Sequence, residues 1–189
     1  MSTTSTIADK ANGVDLQRLG ETIEAVKAQP DVAKFKFRAT NEWIDGGHNR
    51  SSIRGFYGAG QEDTSRKVQF TYDADEPDVL LGKDNGANPV EYLLHALAAC
   101  MTTSMVYHAA ARGITIESVE SMLEGDLDLR GFLGLDENVR PGYENIRAVF
   151  EVKADATAEQ LEELFKFSPV CDSVCHPVSV DAKIEKAGA

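Results

Sequence analysis

Apolar positions first recur at helical spacing in "DLQRLGETIEAVKA", residues 15–28, where Leu16, Leu19, Ile23 and Val26 share a face and Pro30 halts the run. The period then falls to two. "KFKFRATNEWI" alternates Phe35, Phe37 and Ala39 against Lys34, Lys36 and Arg38, a strand pattern. "DGGHN" at 45–49 is turn chemistry, so "RSSIRGFYG" reads as the returning strand of a hairpin. "KVQFTYDAD" predicts a third strand with Val68, Phe70 and Tyr72 on one face. A Gly- and Asn-rich loop, "LGKDNGANP", leads to a long helix that Pro89 opens and Gly113 stops.

Beyond it, "ITIESVESMLEGDLDLRGFLG" starts as a strand and keeps alternating, "DENVRPGYENI" is a turn region, and "IRAVFEVKAD" is another strand. "TAEQLEELFKF" carries a capping box, Thr157 with Gln160 three residues on. Ser168-Pro169 caps a further short helix that Pro177 ends, and "VSVDAKIEKA" alternates as a final strand. Strands and helices in this order amount to an α+β fold. The expected organisation is a tail over 1–12, a helical segment over 13–30 and one domain over 31–189, with no internal repeat.

The predicted helix at 89–112 would be roughly 36 Å long, and it is apolar around most of its circumference: Leu93, Leu94, Ala96, Leu97, Ala98, Ala99, Met101, Met105 and Val106. A helix apolar all round needs cover on all sides. Five flanking strands and two modest helices fall short of that, and a homodimer packing this helix against its twin supplies the rest.

Composition narrows the partners. A net charge of -12 argues against nucleic acid and against an anionic membrane. "MSTTSTIADKANG" has no apolar h-region of a secretory signal, and no apolar run is long enough to span a bilayer, so the cytoplasm is the expected location. Three cysteines do not make a disulfide framework. Each is an inert packing group or a redox residue, and position decides. On composition alone Cys100 reads as a small core residue.

The stretch around it changes that reading. "NPVEYLLHALAACMTTSMVYHAAARGI", with Asn-Pro before Glu, then Leu and Ala, then small-small-Cys, resembles the central helix of the OsmC/Ohr family, the osmotically inducible and organic hydroperoxide resistance proteins. "NEWIDGGHNRSSIRGFYG" and "FSPVCDSVCHPVSVDAKIE" extend the resemblance over nearly all of 34–187, in the family's order. The resemblance implies an intertwined α+β homodimer, its antiparallel sheets packed around the long central helices, with two sites at the subunit interface. It also implies thiol-dependent reduction of organic hydroperoxides: Cys100 attacks the peroxide oxygen and becomes a sulfenic acid. A second cysteine resolves it to a disulfide, and an external dithiol, often a lipoylated protein, reduces that bond. Neither a cofactor nor a metal is implied.

Such chemistry needs a thiolate, which burial opposes. Cys100 lies too far along its helix for the N-terminal dipole to help. In the family the required cation is an arginine on the N-terminal hairpin, held by a glutamate at the start of the central helix. Arg50 occupies the matching place, with Arg54 and Arg38 as alternatives. Glu91 is the only carboxylate on the helix before Cys100 and so the natural partner. It departs in register, since better-known members carry the glutamate directly after the proline, where this chain has Val90. One residue turns a helix face by about 100°.

The usual resolving position holds Ser168 instead of cysteine, leaving Cys171 three residues on, and Cys175 four further, as shifted candidates. In the first turn of a helix capped by Ser168, backbone N–H groups would favour a Cys171 thiolate. "CDSVCH" has neither the haem-attachment spacing nor a second ligand pair for zinc. His95 and His108 do not both face Cys100, and His48 and His176 read as ordinary loop groups. The competing function is a non-enzymatic module that holds a small hydrophobic ligand at the dimer interface, with inert cysteines.

Overall fold

A computed structural model describes residues 10–188, so most of the tail expected over 1–12 lies outside the described residues. Lys10–Ala11 (β1) and Val14–Asp15 (β2) pair through an Asn12-Gly13 turn in which both residues have positive φ, the geometry that Asn-Gly favours. The Asn12 side chain donates to the Ile114 carbonyl and accepts from the Ile116 amide, pinning this hairpin beside the central helix's exit. Helix α1, Leu16–Ala28, follows directly from an Asp15 cap and buries none of its residues.

Strands β3 (Thr40–Asp45), β4 (His48–Ile53) and β7 (Phe70–Ala74) form an antiparallel sheet in the order β3-β4-β7. Its first strand begins later than the alternation from Lys34 suggests, since residues 34–39 make only an isolated bridge, Lys36 to Tyr57. Between β4 and β7 lies a small hairpin that the alternation does not reveal, β5 (Phe56–Gly58) with β6 (Gln61–Asp63). Phe35 rests directly over Gly58, where a Cβ would come within 2.3 Å of its ring.

Helix α2 runs Pro89–Ala111. Asn88 caps it by accepting from the Val90 amide, and the Glu91 carboxylate accepts from the Asn88 amide, closing a capping box. At the other end Gly113, at φ 72°, allows a Schellman close: the Gly113 amide reaches the Ala110 carbonyl and the Ile114 amide the Ala109 carbonyl. Strands β8 (Ile116–Asp126) and β9 (Asn145–Ala154) form a long antiparallel ribbon, separated by the single helical turn α3, Leu129–Phe132. The expected continuous alternation thus stops at Asp126, and Asp128 caps the turn instead. Helices α4 (Ala158–Phe165, with its Thr157/Gln160 capping box) and α5 (Pro169–Cys175, capped by Ser168) complete the chain's regular structure.

The core is compact and one-sided. Met105 and Ala109 of α2 meet Leu161 and Leu164 of α4, over a floor of Ile116, Val119, Phe150 and Val152. A bulge between Ile116 and Ser118 lets Ile116 and Val119 both face this core despite their odd spacing. Each side chain so enclosed contributes about 1.5–3 kcal/mol.

The expected final strand is not formed. Residues 177–188 pair with no strand among the described residues, and Val178, Val180 and Ile184 stand 66%, 83% and 95% exposed. Alternation makes a strand only where the segment reaches an edge and pairs with it, and these residues pair with none among the described residues. The apolar side of α2 is likewise partly open, with Leu93 and Tyr107 exposed, as are Trp43, Met122 and Phe132 elsewhere. Among the described residues no helix is long and apolar enough to cross a membrane.

Candidate functional site

Successive turns of α2 after Cys100, and the Arg112 cap, organise one face of this helix. Ser104, one turn on, is buried and donates to the Phe167 carbonyl at 3.4 Å. One turn further His108 stacks on the Phe167 ring at 4.0 Å, and the Arg112 guanidinium lies 5.2 Å from that ring's centre. This face of α2 therefore grips the α4–α5 junction, and α5 continues from Ser168 alongside the turn that bears Cys100. Burial and the neighbouring Arg112 charge push the His108 pKa down, so this imidazole is neutral at neutral pH.

Helix α5, which packs on the helix of Cys100, carries the other two cysteines. Cys100 and Cys171 are half-buried and Cys175 is exposed, and all three are free thiols. The Cys171 and Cys175 sulfurs, one helical turn apart, lie 4.0 Å from each other. The Cys171 pKa is raised, first by burial, then by hydrogen bonding and charge from Cys175, with further contributions from Asp172 and from Cys100. Cys100 is thus within electrostatic reach of Cys171 across the α2–α5 packing. The raised value corrects the expectation that helical N–H groups would favour a Cys171 thiolate. The Cys171 amide is already committed to the Ser168 hydroxyl, and desolvation dominates. Ser168, 1% exposed, thereby has a local task of its own, capping α5.

Arg50 and Glu91 each have other hydrogen-bond partners. On the antiparallel ladder Arg50 stands directly opposite Asp73, and its guanidinium grips that carboxylate through Nε at 2.9 Å and a terminal nitrogen at 3.1 Å. His48 is a half-buried strand residue, not a loop group, and its Nε2 lies 2.9 Å from the same carboxylate. These bonds, from His48 first and Arg50 second, hold Asp73 below the usual carboxylate range. Glu91 does not pair with Arg50; its carboxylate serves the α2 cap. Of the alternatives, Arg38 is held bidentately by Glu62 at 2.7 Å, whereas Arg54 is exposed. His95 is exposed and His176 pairs with Asp172 on the surface.

Asp73 is the residue that sequence reasoning missed. Its signal was register: once "RSSI" pairs antiparallel with "FTYDA", Arg50 must meet Asp73. The sheet is fastened to the head of α2, because Tyr92 donates to the Asp73 carbonyl at 2.7 Å and Asn88 to the Glu76 carboxylate at 2.5 Å. The intervening loop is organised by Asp75, 2% exposed, which accepts from the amides of Glu76, Lys83 and Asn85 and from the Asn85 side chain. Among the described residues no three His, Cys, Asp or Glu side chains gather as a metal site would need.

Comparison with known proteins gives a consistent result. The family described as OsmC-like protein matches residues 82–183, more than half of the chain. The structure is similar to that of an OsmC-like protein from Mycoplasma pneumoniae, with a TM-score of 0.54 at 19% identity over 75% of this chain and 89% of that one. It is also similar to an organic hydroperoxide resistance protein OsmC from Legionella pneumophila, with a TM-score of 0.50 at 16% identity over 75% and 90%. At these identities the likeness establishes the fold alone. No curated protein matches the sequence.

Proposed function

Because this chain belongs to the OsmC-like protein family, we propose that it reduces organic hydroperoxides through Cys100, acting as a homodimer. The observation that carries the reading is the cysteine pair on α5, Cys171 and Cys175 with sulfurs 4.0 Å apart, on a helix that packs against the α2 helix bearing Cys100. A packing cysteine needs no second thiol, whereas a nearby thiol can resolve a Cys100 sulfenic acid within the protein. In the proposed cycle the Cys100 thiolate attacks the terminal peroxide oxygen, the O–O bond breaks, and the alkoxide takes up one proton and leaves as the alcohol, giving Cys100 sulfenic acid. Cys171 then displaces water to form the Cys100–Cys171 disulfide, and an external dithiol or lipoylated protein restores both thiols. Leu97 and Met101, the buried neighbours on α2, favour an alkyl hydroperoxide over hydrogen peroxide.

Stopped-flow mixing with cumene hydroperoxide, followed by mass mapping of the modified cysteine, tests this. Rapid oxidation confined at first to Cys100 is expected. Intact thiols after many equivalents of peroxide would sink the reading.

One observation favours the alternative, a module holding a small hydrophobic ligand at the dimer interface. Arg50 and Glu91 are bonded to Asp73 and Asn88, not to one another. Binding of an apolar dye, unaffected by Cys100→Ser and joined to peroxide-inert thiols, would establish it.

A further inference from the structure

We propose that Cys175 is a third redox residue, which takes over the disulfide from Cys100 and presents it, as Cys171–Cys175, to the external dithiol. The source of the oxidising equivalents rests on the peroxidase reading above; the exchange step rests on the geometry of α5.

The three sulfurs are graded in accessibility, from Cys100 and Cys171, both half-buried, to Cys175, exposed. A dithiol carried on a protein arm meets Cys175 first. Cys171 has its sulfur 4.0 Å from that of Cys175, on a helix that packs against the helix of Cys100. Thiol–disulfide exchange needs a central sulfur between an attacking and a leaving one, and Cys171 takes that place in the proposed exchange.

Residues four apart on a helix have Cα atoms roughly 6 Å apart, inside the range of about 4.4–6.8 Å that a disulfide spans. The sulfurs, 4.0 Å apart, must close by about 2 Å to bond. Cys175 is free to make that movement. It is the last residue of α5, its successor His176 has already left helical geometry at φ -123° and ψ 83°, and residues 177–188 form no regular structure. Exchange also removes the oxidised bond from the half-buried Cys100 and so returns the attacking thiol before the reductant arrives.

The steps balance. Hydroperoxide and the Cys100 thiolate, with one proton, give Cys100 sulfenic acid and alcohol. The Cys171 thiol and that sulfenic acid give the Cys100–Cys171 disulfide and water. The Cys175 thiolate then attacks the Cys171 sulfur, a Cys171–Cys175 bond forms, the Cys100–Cys171 bond breaks, and Cys100 departs as thiolate. A dithiol finally reduces Cys171–Cys175 to two thiols and is itself oxidised to a disulfide.

The full chain is treated with one equivalent of cumene hydroperoxide, acid-quenched over a time course, alkylated and mapped without reduction. Early samples should contain Cys100–Cys171 with alkylated Cys175, and later ones Cys171–Cys175 with alkylated Cys100. In Cys175→Ser the first disulfide should persist, and its reduction by dihydrolipoamide should be about tenfold slower than for the unsubstituted protein. A lasting Cys100–Cys171 bond with alkylated Cys175 in the unsubstituted protein, or equal reduction rates, overturns the proposal.

Diamide, which oxidises dithiols without peroxide, separates the two readings. A Cys171–Cys175 bond with diamide but unreacted thiols with hydroperoxide removes the peroxidase reading and leaves the pair standing. Alkylatable Cys175 under diamide overturns the pair itself.

Discussion

Arg50 and Asp75 each show a charge whose role is set by its immediate hydrogen bonds. Arg50 is the proposed activating cation for Cys100, and its guanidinium is bonded to Asp73. If Arg50 still lowers the barrier to ionisation, Arg50→Ala will slow iodoacetamide alkylation of Cys100 near neutral pH by roughly tenfold, the equivalent of one pKa unit. An unchanged rate would transfer activation to Arg54 or Arg38. Asp75 makes a separate prediction about acid stability. Burial alone would raise its pKa, but hydrogen bonds from the Asn85 and Glu76 amides, the Asn85 side chain and the Lys83 amide outweigh it, leaving a value of about 2. A depressed carboxylate stabilises the fold above its unfolded pKa of about 3.9, and that contribution is lost as pH falls from there through about 2. Urea midpoints measured across this window should fall with pH, and Asp75→Asn should flatten the fall.

Among the elements, α2 depends on its ends and on one stripe. Its hydropathy is nearly uniform around the axis, so caps and contacts, not amphipathicity, fix its limits and orientation. Asn88→Ala removes the acceptor for the Val90 amide and should cost about 1 kcal/mol. Leu164→Ala, which empties a site only 1% exposed against Met105, should cost about 2–5 kcal/mol. Both should appear as lower urea midpoints with unchanged slope, since neither alters the surface exposed on unfolding. A midpoint unmoved by Leu164→Ala would refute the packing of α4 on α2.

Taken as a whole, the single chain exposes more large apolar side chains than a soluble monomer ordinarily tolerates. Trp43 is 73% exposed, Met122 and its cross-strand neighbour Val149 are 69% and 61%, and Val180 and Ile184 are 83% and 95%. A second copy of this chain is the proposed cover, with the unpaired segment 177–188 as part of the contact. Sedimentation equilibrium at micromolar concentration should return twice the 20.5 kDa chain mass. Removal of residues 178–189 should shift the population towards monomer. A folded, stable monomer of the full chain would contradict the homodimer.

Local chemistry alone determined much of this protein. Asn88-Pro89 and Gly113 mark the limits of α2, Thr157 with Gln160 opens α4, and Ser168-Pro169 opens α5, because capping satisfies backbone groups within a few residues of the signal. The motif around Cys100 and most of its C-terminal flank lie within the family match over 82–183, and the N-terminal hairpin lies outside it. Tertiary structure decided what depends on distant segments. Strand register, not helix spacing, gave Arg50 to Asp73 and left Glu91 to the cap. The packing of α5, with Cys171 and Cys175, on the helix that bears Cys100 required the chain to fold back through Phe167, a contact between positions more than sixty residues apart. The final alternating segment met no partner within the chain, since a strand is completed by the edge it pairs with and not by its own pattern.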